Sequence, residues 1–218
     1  MINEIKACFR LMKHGYQLKI NLVCGVLFSA IGIPFIMMGY ERLAFCTMYF
    51  LMGNLFLAQS MNMMLYSGLM CASPSRKKIE FLYLDILNVI GGIFAIVLTL
   101  IAAFVVKSEP SESVTVEAML VFSGLMALVL YCYMSMAFKS MFVGLVIFMV
   151  SFLAINSMPY SKVGEVLCQV LQGKTVLAVL IFVVEVALGI ALGHGIRKLL
   201  YRKTMSKWAA GAKLREEQ

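Results

Sequence analysis

Charge is scarce in this 218-residue chain: Asp, Glu, Lys and Arg make up 14 % of it, against 62 % apolar residues. A soluble domain runs at about 25 % charged and about 45–50 % apolar. No soluble interior of this size hides such an excess, and the mean hydropathy of +0.92 agrees. The shortage of charge therefore excludes a disordered protein, a secreted disulfide scaffold and an ordinary cytosolic enzyme. Catalytic motifs are missing too. There is no GxxxxGK[ST] phosphate loop, no GxSxG, no HExxH and no pair of aspartates at metal spacing. ATP hydrolysis by a P-loop mechanism is thereby excluded for this chain, which reads as a non-enzyme. Cys8, Cys24, Cys46, Cys71, Cys132 and Cys168 form no CxxC pair, and His14 and His194 stand alone. The cysteines read as small apolar filler and no metal site follows.

What is present is long apolar runs. A helix crossing the hydrocarbon core needs about 20 mostly apolar residues. Six segments qualify: 20–38, 43–69, 86–106, 118–138, 140–157 and 175–196. Continuous runs exclude a β-barrel, whose strands alternate over about 10 residues. The expected fold is all-α: one polytopic membrane helix bundle of six transmembrane helices. Ahead of it, Ile5, Phe9, Met12 and Tyr16 recur at helical spacing, opposite Lys6, Arg10 and Lys13. Residues 2–17 are expected to form an amphipathic interfacial helix rather than a signal peptide.

The charges that exist are lopsided. With the N-terminus inside, fifteen of the nineteen lysines and arginines fall on the inner side, and only Arg42, Lys107, Lys162 and Lys174 lie outside. The positive-inside rule then puts both termini in the cytoplasm, with 197–218 as a basic tail. A solvated collar explains the net charge of +8, and nucleic acid is not an expected partner. The outer loops are short. Residues 39–42 read as a tight turn, and 158–174 as a loop holding a short amphipathic helix.

The inner connector 72–85 is the most informative loop. Ser73 and Pro74 make a helix start, an N-cap hydroxyl followed by proline at the first helical position. Ile79, Leu82 and Tyr83 then share a face. A basic helix lying there suits either a docking surface or a positive-inside anchor. The stretch Ser73-Pro74-Ser75-Arg76-Lys77-Lys78-Ile79 resembles the leucine-proline-x-serine-arginine-lysine-x-isoleucine segment of small type-2 ABC exporter permeases, with Ser-Pro where that family often has Leu-Pro. The six spans, the in–in topology and the N-terminal helix are similar to that family in layout. The resemblance implies a permease subunit in a bacterial cell membrane, similar to Gram-positive exporters of amphipathic peptides, antibiotics or lipid-like molecules. It also implies that Arg76, Lys77, Lys78, Ile79, Glu80 and Phe81 couple to a separate ATP-binding subunit, with Arg76, Lys77, Lys78 and Glu80 as docking contacts and Ile79 and Phe81 seating the helix. ATP and Mg would be bound by that partner, with no cofactor in this chain. A second permease subunit, identical or not, would complete the path, with membrane lipids around it.

Candidate path residues follow from polarity inside the spans. Glu185 lies mid-span in Val183-Val184-Glu185-Val186-Ala187. A carboxylate there costs on the order of 2.5–3.5 kcal/mol, so it should face protein or a wet cavity. It reads as a substrate or cation contact, a gating hydrogen bond, or a structural carboxylate between helices. Gln59, Asn62 and Tyr66 fall on one face of the second span, suited to a translocation cavity, a dimer seam or interhelical hydrogen bonds. Gly189 and Gly193 form a small-xxx-small pair for close packing. An ion-coupled secondary transporter using Glu185 and a non-transporting membrane immunity or interaction protein are the alternatives.

Overall fold

The computed structural model describes residues 2–13, 18–39, 42–64, 76–105, 114–137 and 139–201. Among them every element is helical. In chain order they are α1 (Ile2–Met12), α2 (Leu18–Met37), α3 (Leu43–Met64), α4 (Arg76–Lys78), a π-helical turn (Ile79–Tyr83), α5 (Leu84–Val105), α6 (Val116–Met136), α7 (Met141–Ser157), a 3-10 turn (Met158–Tyr160), α8 (Lys162–Leu171) and α9 (Thr175–Leu200). Six of the described helical segments are long and apolar enough to cross a membrane. The fold is the all-α bundle that the composition demands.

Large apolar side chains face outward along α2, α5, α7 and α9, as suits helices embedded in a membrane. On α2, Ile20, Val23, Val26, Leu27 and Ile33 are all more than half exposed. Its hydrophobicity does not pick a face, because lipid is as good a solvent for leucine as the bundle interior. Pro34 lies inside α2 without ending it, as membrane helices tolerate when neighbours satisfy the freed carbonyl.

The helix α6 is the hub. Two-thirds of its span is buried (67 %), against 17 % for α2 and 22 % for the α7 span. It packs on α3, α5, α7, α8 and α9. Thr115 caps it, accepting from the Ala118 N–H at 3.3 Å. Its neighbour α9 runs parallel to it. Glu185, Gly189 and Gly193 of α9 meet Gly124, Leu128 and Ser135 of α6 in succession. The glycines let the two backbones touch, since a Cβ on Gly189 would come within 2.8 Å of Leu128 Cα. The antiparallel pair α2–α3 uses the same device at Gly25 and Gly53.

Three sequence expectations shift. The connector is not separate from the third span: helix runs from Arg76 through the π turn into α5, giving one apolar segment Arg76–Phe104. The face of Ile79, Leu82 and Tyr83 is also broken. Ile79 and Tyr83 are buried, but Leu82 is 40 % exposed. The π turn is the reason, because its i→i+5 bonding adds a residue to the turn and rotates Leu82 outward. Finally, α1 ends at Met12, with 14–17 outside the described residues. The Ser73-Pro74 cap, the end of the second span at 65–69 and the tail from 202 also lie outside them.

The small helix expected within 158–174 is present as α8. Ser161 caps it by accepting from the Gly164 N–H at 3.4 Å. Gly173, at φ +73°, turns the chain into α9, a conformation that glycine takes without strain.

All helix ends that carry α1, α4 and Tyr201 meet at one end of the bundle, here the basic end. The Gly39 turn, α8 and the start of α9 lie at the other. The α6–α9 seam gives a direct test of the packing. Gly189→Ala should cost about 1–3 kcal/mol by overpacking. Gly195→Ala, with nothing within 4 Å of its Cβ, should be neutral or stabilising through helix propensity. Thermal melts in one detergent decide this: equal melting temperatures for the two variants would contradict the close α6–α9 contact.

Candidate functional site

Two carboxylates organise the basic end. Glu80, on the π turn, is 5 % exposed. The Lys139 ammonium, from the turn between α6 and α7, donates to its Oε1. The same ammonium donates to the Tyr201 carbonyl at 3.2 Å beyond α9. Arg76 approaches Glu80 Oε2 at 3.8 Å. The Arg76 and Lys139 cations lie 5.7 and 5.4 Å from the centre of the Tyr201 ring, within cation–π range. One turn on, Asp85 accepts from Arg197 of α9 and faces His194 Nδ1 at 2.7 Å. The connector is thus clasped to α9 and to the α6–α7 turn by two ion-pair groups.

The helix α1 adds a third attachment. Lys78 donates to Glu4 at 3.0 Å and lies 5.8 Å from the Tyr83 ring centre. The Cys8 thiol, fully buried, donates to the Tyr83 carbonyl at 3.7 Å. The hydrogen bond from Lys78 holds the Glu4 carboxyl below its usual value. Burial pushes the Cys8 thiol up to about 11, so it is inert at neutral pH.

Above the clasp, Asn62, Asn88, Ser135 and Arg197 line a narrow polar cavity together with Glu80 and Lys139. Hydrogen bonds continue from it into the bundle. Asn54 donates to Asn88 at 3.2 Å, and the Tyr131 hydroxyl donates to the Asn88 carbonyl at 3.1 Å. Asn21 donates to Ser60 at 2.8 Å, and Thr47 pairs with Thr99 at 3.0 Å. Each such bond between membrane helices is worth about 0.6 kcal/mol. Their main role is to fix which helix faces which.

The expected site residues fall into separate places. Arg76 is partly buried, while Lys77 and Lys78 are exposed. Ile79 is buried as a seat. Phe81 is partly buried, its ring 5.3 Å from that of Tyr201 and 5.8 Å from His194. Glu80 is not on the surface; its burial and its bond to Lys139 make it an internal anchor in place of a docking contact. Asn62 lines the polar cavity, but Gln59 is not among its lining residues. Tyr66 lies outside the described residues.

Glu185 stands apart from all of them. It packs against Gly124 on the α6–α9 seam, and its Oε2 is buried with no hydrogen-bond partner among the described residues. Lys139, Asp85, His194 and Arg197 were not singled out from the sequence. A signal existed: Asp85 and Arg197 are opposite charges at the same-side ends of two spans. It could not say which ends are neighbours.

A second hollow is apolar. Gly25, Gly53, Gly91 and Phe94 help line a cleft of about 350 Å³ between α2, α3 and α5, with Phe9 of α1 at its edge. Among the described residues, no cluster of three or more His, Cys, Asp or Glu side chains could hold a metal. No family model matches the chain, and neither curated proteins nor solved structures give a match.

The clasp makes a testable energetic claim. Breaking one half of a buried pair costs about 3–5 kcal/mol, while replacing both halves by apolar residues is near neutral. Glu80→Leu and Lys139→Met should each lower stability strongly, and the double variant should recover most of the loss. Additive losses in detergent melts would contradict the pairing. For α1 the sign is that of a depressed carboxylate: its docking contribution is present above the ordinary glutamate value and is lost as pH falls through the depressed one. Glu4→Gln should mimic that loss at neutral pH and raise Cys8 alkylation, read by peptide mass. An unchanged rate would separate α1 docking from Glu4.

Proposed function

We propose that the chain is the transmembrane permease subunit of an ATP-binding cassette exporter, driven by a separate ATP-binding subunit that binds ATP and Mg. Its cargo would be amphipathic peptides, antibiotics or lipid-like molecules. Both termini would be cytoplasmic, so the basic end faces the motor. A second permease subunit would complete the path. The observation that carries this reading is the continuity of the connector with α5. Arg76–Lys78 opens one continuous helical segment of 29 residues, so a push there passes into the apolar span without crossing a break in the helix. The clasps at Glu80 and Asp85 pass the same push to α9 and to the α6–α7 turn. Docking would use Arg76, Lys77 and Lys78, with Ile79, Glu80 and Phe81 seating them. The similarity of 73–79 to the permease segment supports the same assignment.

The cargo route is less specified. The apolar cleft beside α2 suits the apolar face of such a cargo, whereas the polar cavity at Asn62, about 20 Å³, has room only for about one water. A second reading draws on one specific observation. The unpartnered, buried Oε2 of Glu185 suits a proton-carrying carboxylate in an ion-coupled transporter.

The reading requires a P-loop ATPase encoded beside this chain and co-purifying with it. Lys77→Glu, combined with Arg76→Glu, should abolish that association while the bundle still melts cooperatively. Undiminished association would remove the docking assignment. Vesicle flux separates the two readings: dependence on a proton gradient, indifference to ATP and loss in Glu185→Gln would favour the ion-coupled one.

A further inference from the structure

A second basic surface lies on the outer flank of the clasp. Lys77, Lys78, His194 and Lys198 surround an open hollow of about 540 Å³, walled on its apolar side by Phe81 and Leu82. Lys78 is spoken for by Glu4. Lys77 and Lys198 are exposed and have no carboxylate partner among the described residues. Lys77 and Lys198 thus bring two such ammonium groups to one hollow, beside Lys78 held by Glu4 and His194 held by Asp85, and the hollow as a whole suits an anion. Its apolar wall is unusual for a site meant for a free ion. Leu82 is 40 % exposed, because the π turn rotates it outward, and Leu199 is 84 % exposed. Moving into the bundle, the outward faces of α5 and α9 continue as Val89, Ile93, Leu192 and Leu188, all open and apolar.

We propose that this hollow holds the phosphate headgroup of an anionic phospholipid, with its acyl chains lying along the outward faces of α5 and α9. The charge complements the phosphate, and the apolar wall lies where the glycerol and upper chain would fall. Basic hollows between helices at a membrane boundary favour anionic headgroups on electrostatic grounds. Such a lipid would brace the connector against α9 from outside, as Asp85 and Arg197 do from inside. The site stands whether or not the chain is a permease, since it needs only membrane embedding.

The test uses the full chain alone in nanodiscs, without any ATPase. One set contains phosphatidylcholine only, and the other phosphatidylcholine with phosphatidylglycerol. Retained phosphatidylglycerol is measured by native mass spectrometry after transfer to detergent. Each basic residue near an anionic surface is worth about fivefold in affinity. Lys198→Gln should therefore weaken retention about fivefold, and Lys77→Gln with Lys198→Gln roughly 25-fold. Lys162→Gln with Lys174→Gln, exposed at the opposite end, should change nothing. Melting in phosphatidylcholine discs confirms that each variant is folded, and the Lys198 single variant leaves the 76–81 docking segment intact. Equal retention in the wild type, the double variant and the control would overturn the proposal. Displacement of the lipid by inorganic phosphate at comparable concentration would also overturn it, marking a free-anion site. Because no ATPase is present, failure of this test removes the lipid site alone and leaves the permease reading to the co-purification test.

Discussion

Two carboxylates at one end of the bundle, Glu80 and Asp85, hold together helices that their apolar surfaces cannot orient. Inside a membrane there is little to gain by burying leucine, so α5, α6 and α9 need directional contacts to choose partners. Glu80 takes Lys139 from the α6–α7 turn, and Asp85 takes Arg197 from α9. Burial raises the stakes of both pairs, because each charge left alone would be costly. Further into the bundle, weaker bonds such as Asn54–Asn88 and Tyr131–Asn88 continue the same task. Small residues then set distance. Gly124, Gly189 and Gly193 bring α6 and α9 into backbone contact.

The π turn at Ile79–Tyr83 links this clasp to the outer surface. It turns Glu80 inward to Lys139 while sending Leu82 out. An uninterrupted α-helix would put Ile79, Leu82 and Tyr83 on a single face. The extra residue in the turn is what takes Leu82 off the buried face of Ile79 and Tyr83. A connector built this way has a fixed inner side and an open basic outer side. That division suits a lever, and it also suits a surface that meets lipid headgroups.

Much of this was legible beforehand. The six spans, the amphipathic α1 and the helix α8 all follow from hydropathy and periodicity, and α8 even carries its cap at Ser161. The clustering of basic residues at one end was visible for the same reason. The candidate site was less legible. Glu80 looked like a surface contact because a glutamate within Arg-Lys-Lys-Ile-Glu belongs to water by composition. Its partner Lys139 is 59 residues away. His194 looked isolated, although it faces Asp85 from 109 residues away. Glu185 was singled out as a carboxylate in the middle of an apolar span. That it meets Gly124 rather than the polar face of α3 depended on helix rotation, which apolar helices do not encode in a hydrophobic stripe.

The sequence by itself determined the six apolar spans found among the described residues, because a chain with so little charge is suited to lipid rather than water. It also determined the end at which the basic residues gather. Only the tertiary structure decided which charges pair, that the connector is one rod with α5, and where a basic hollow opens beside Lys198. The physical reason is distance along the chain. Hydropathy is a local property of some twenty residues, whereas an ion pair between span ends depends on how helices with no preferred face come to rest against one another.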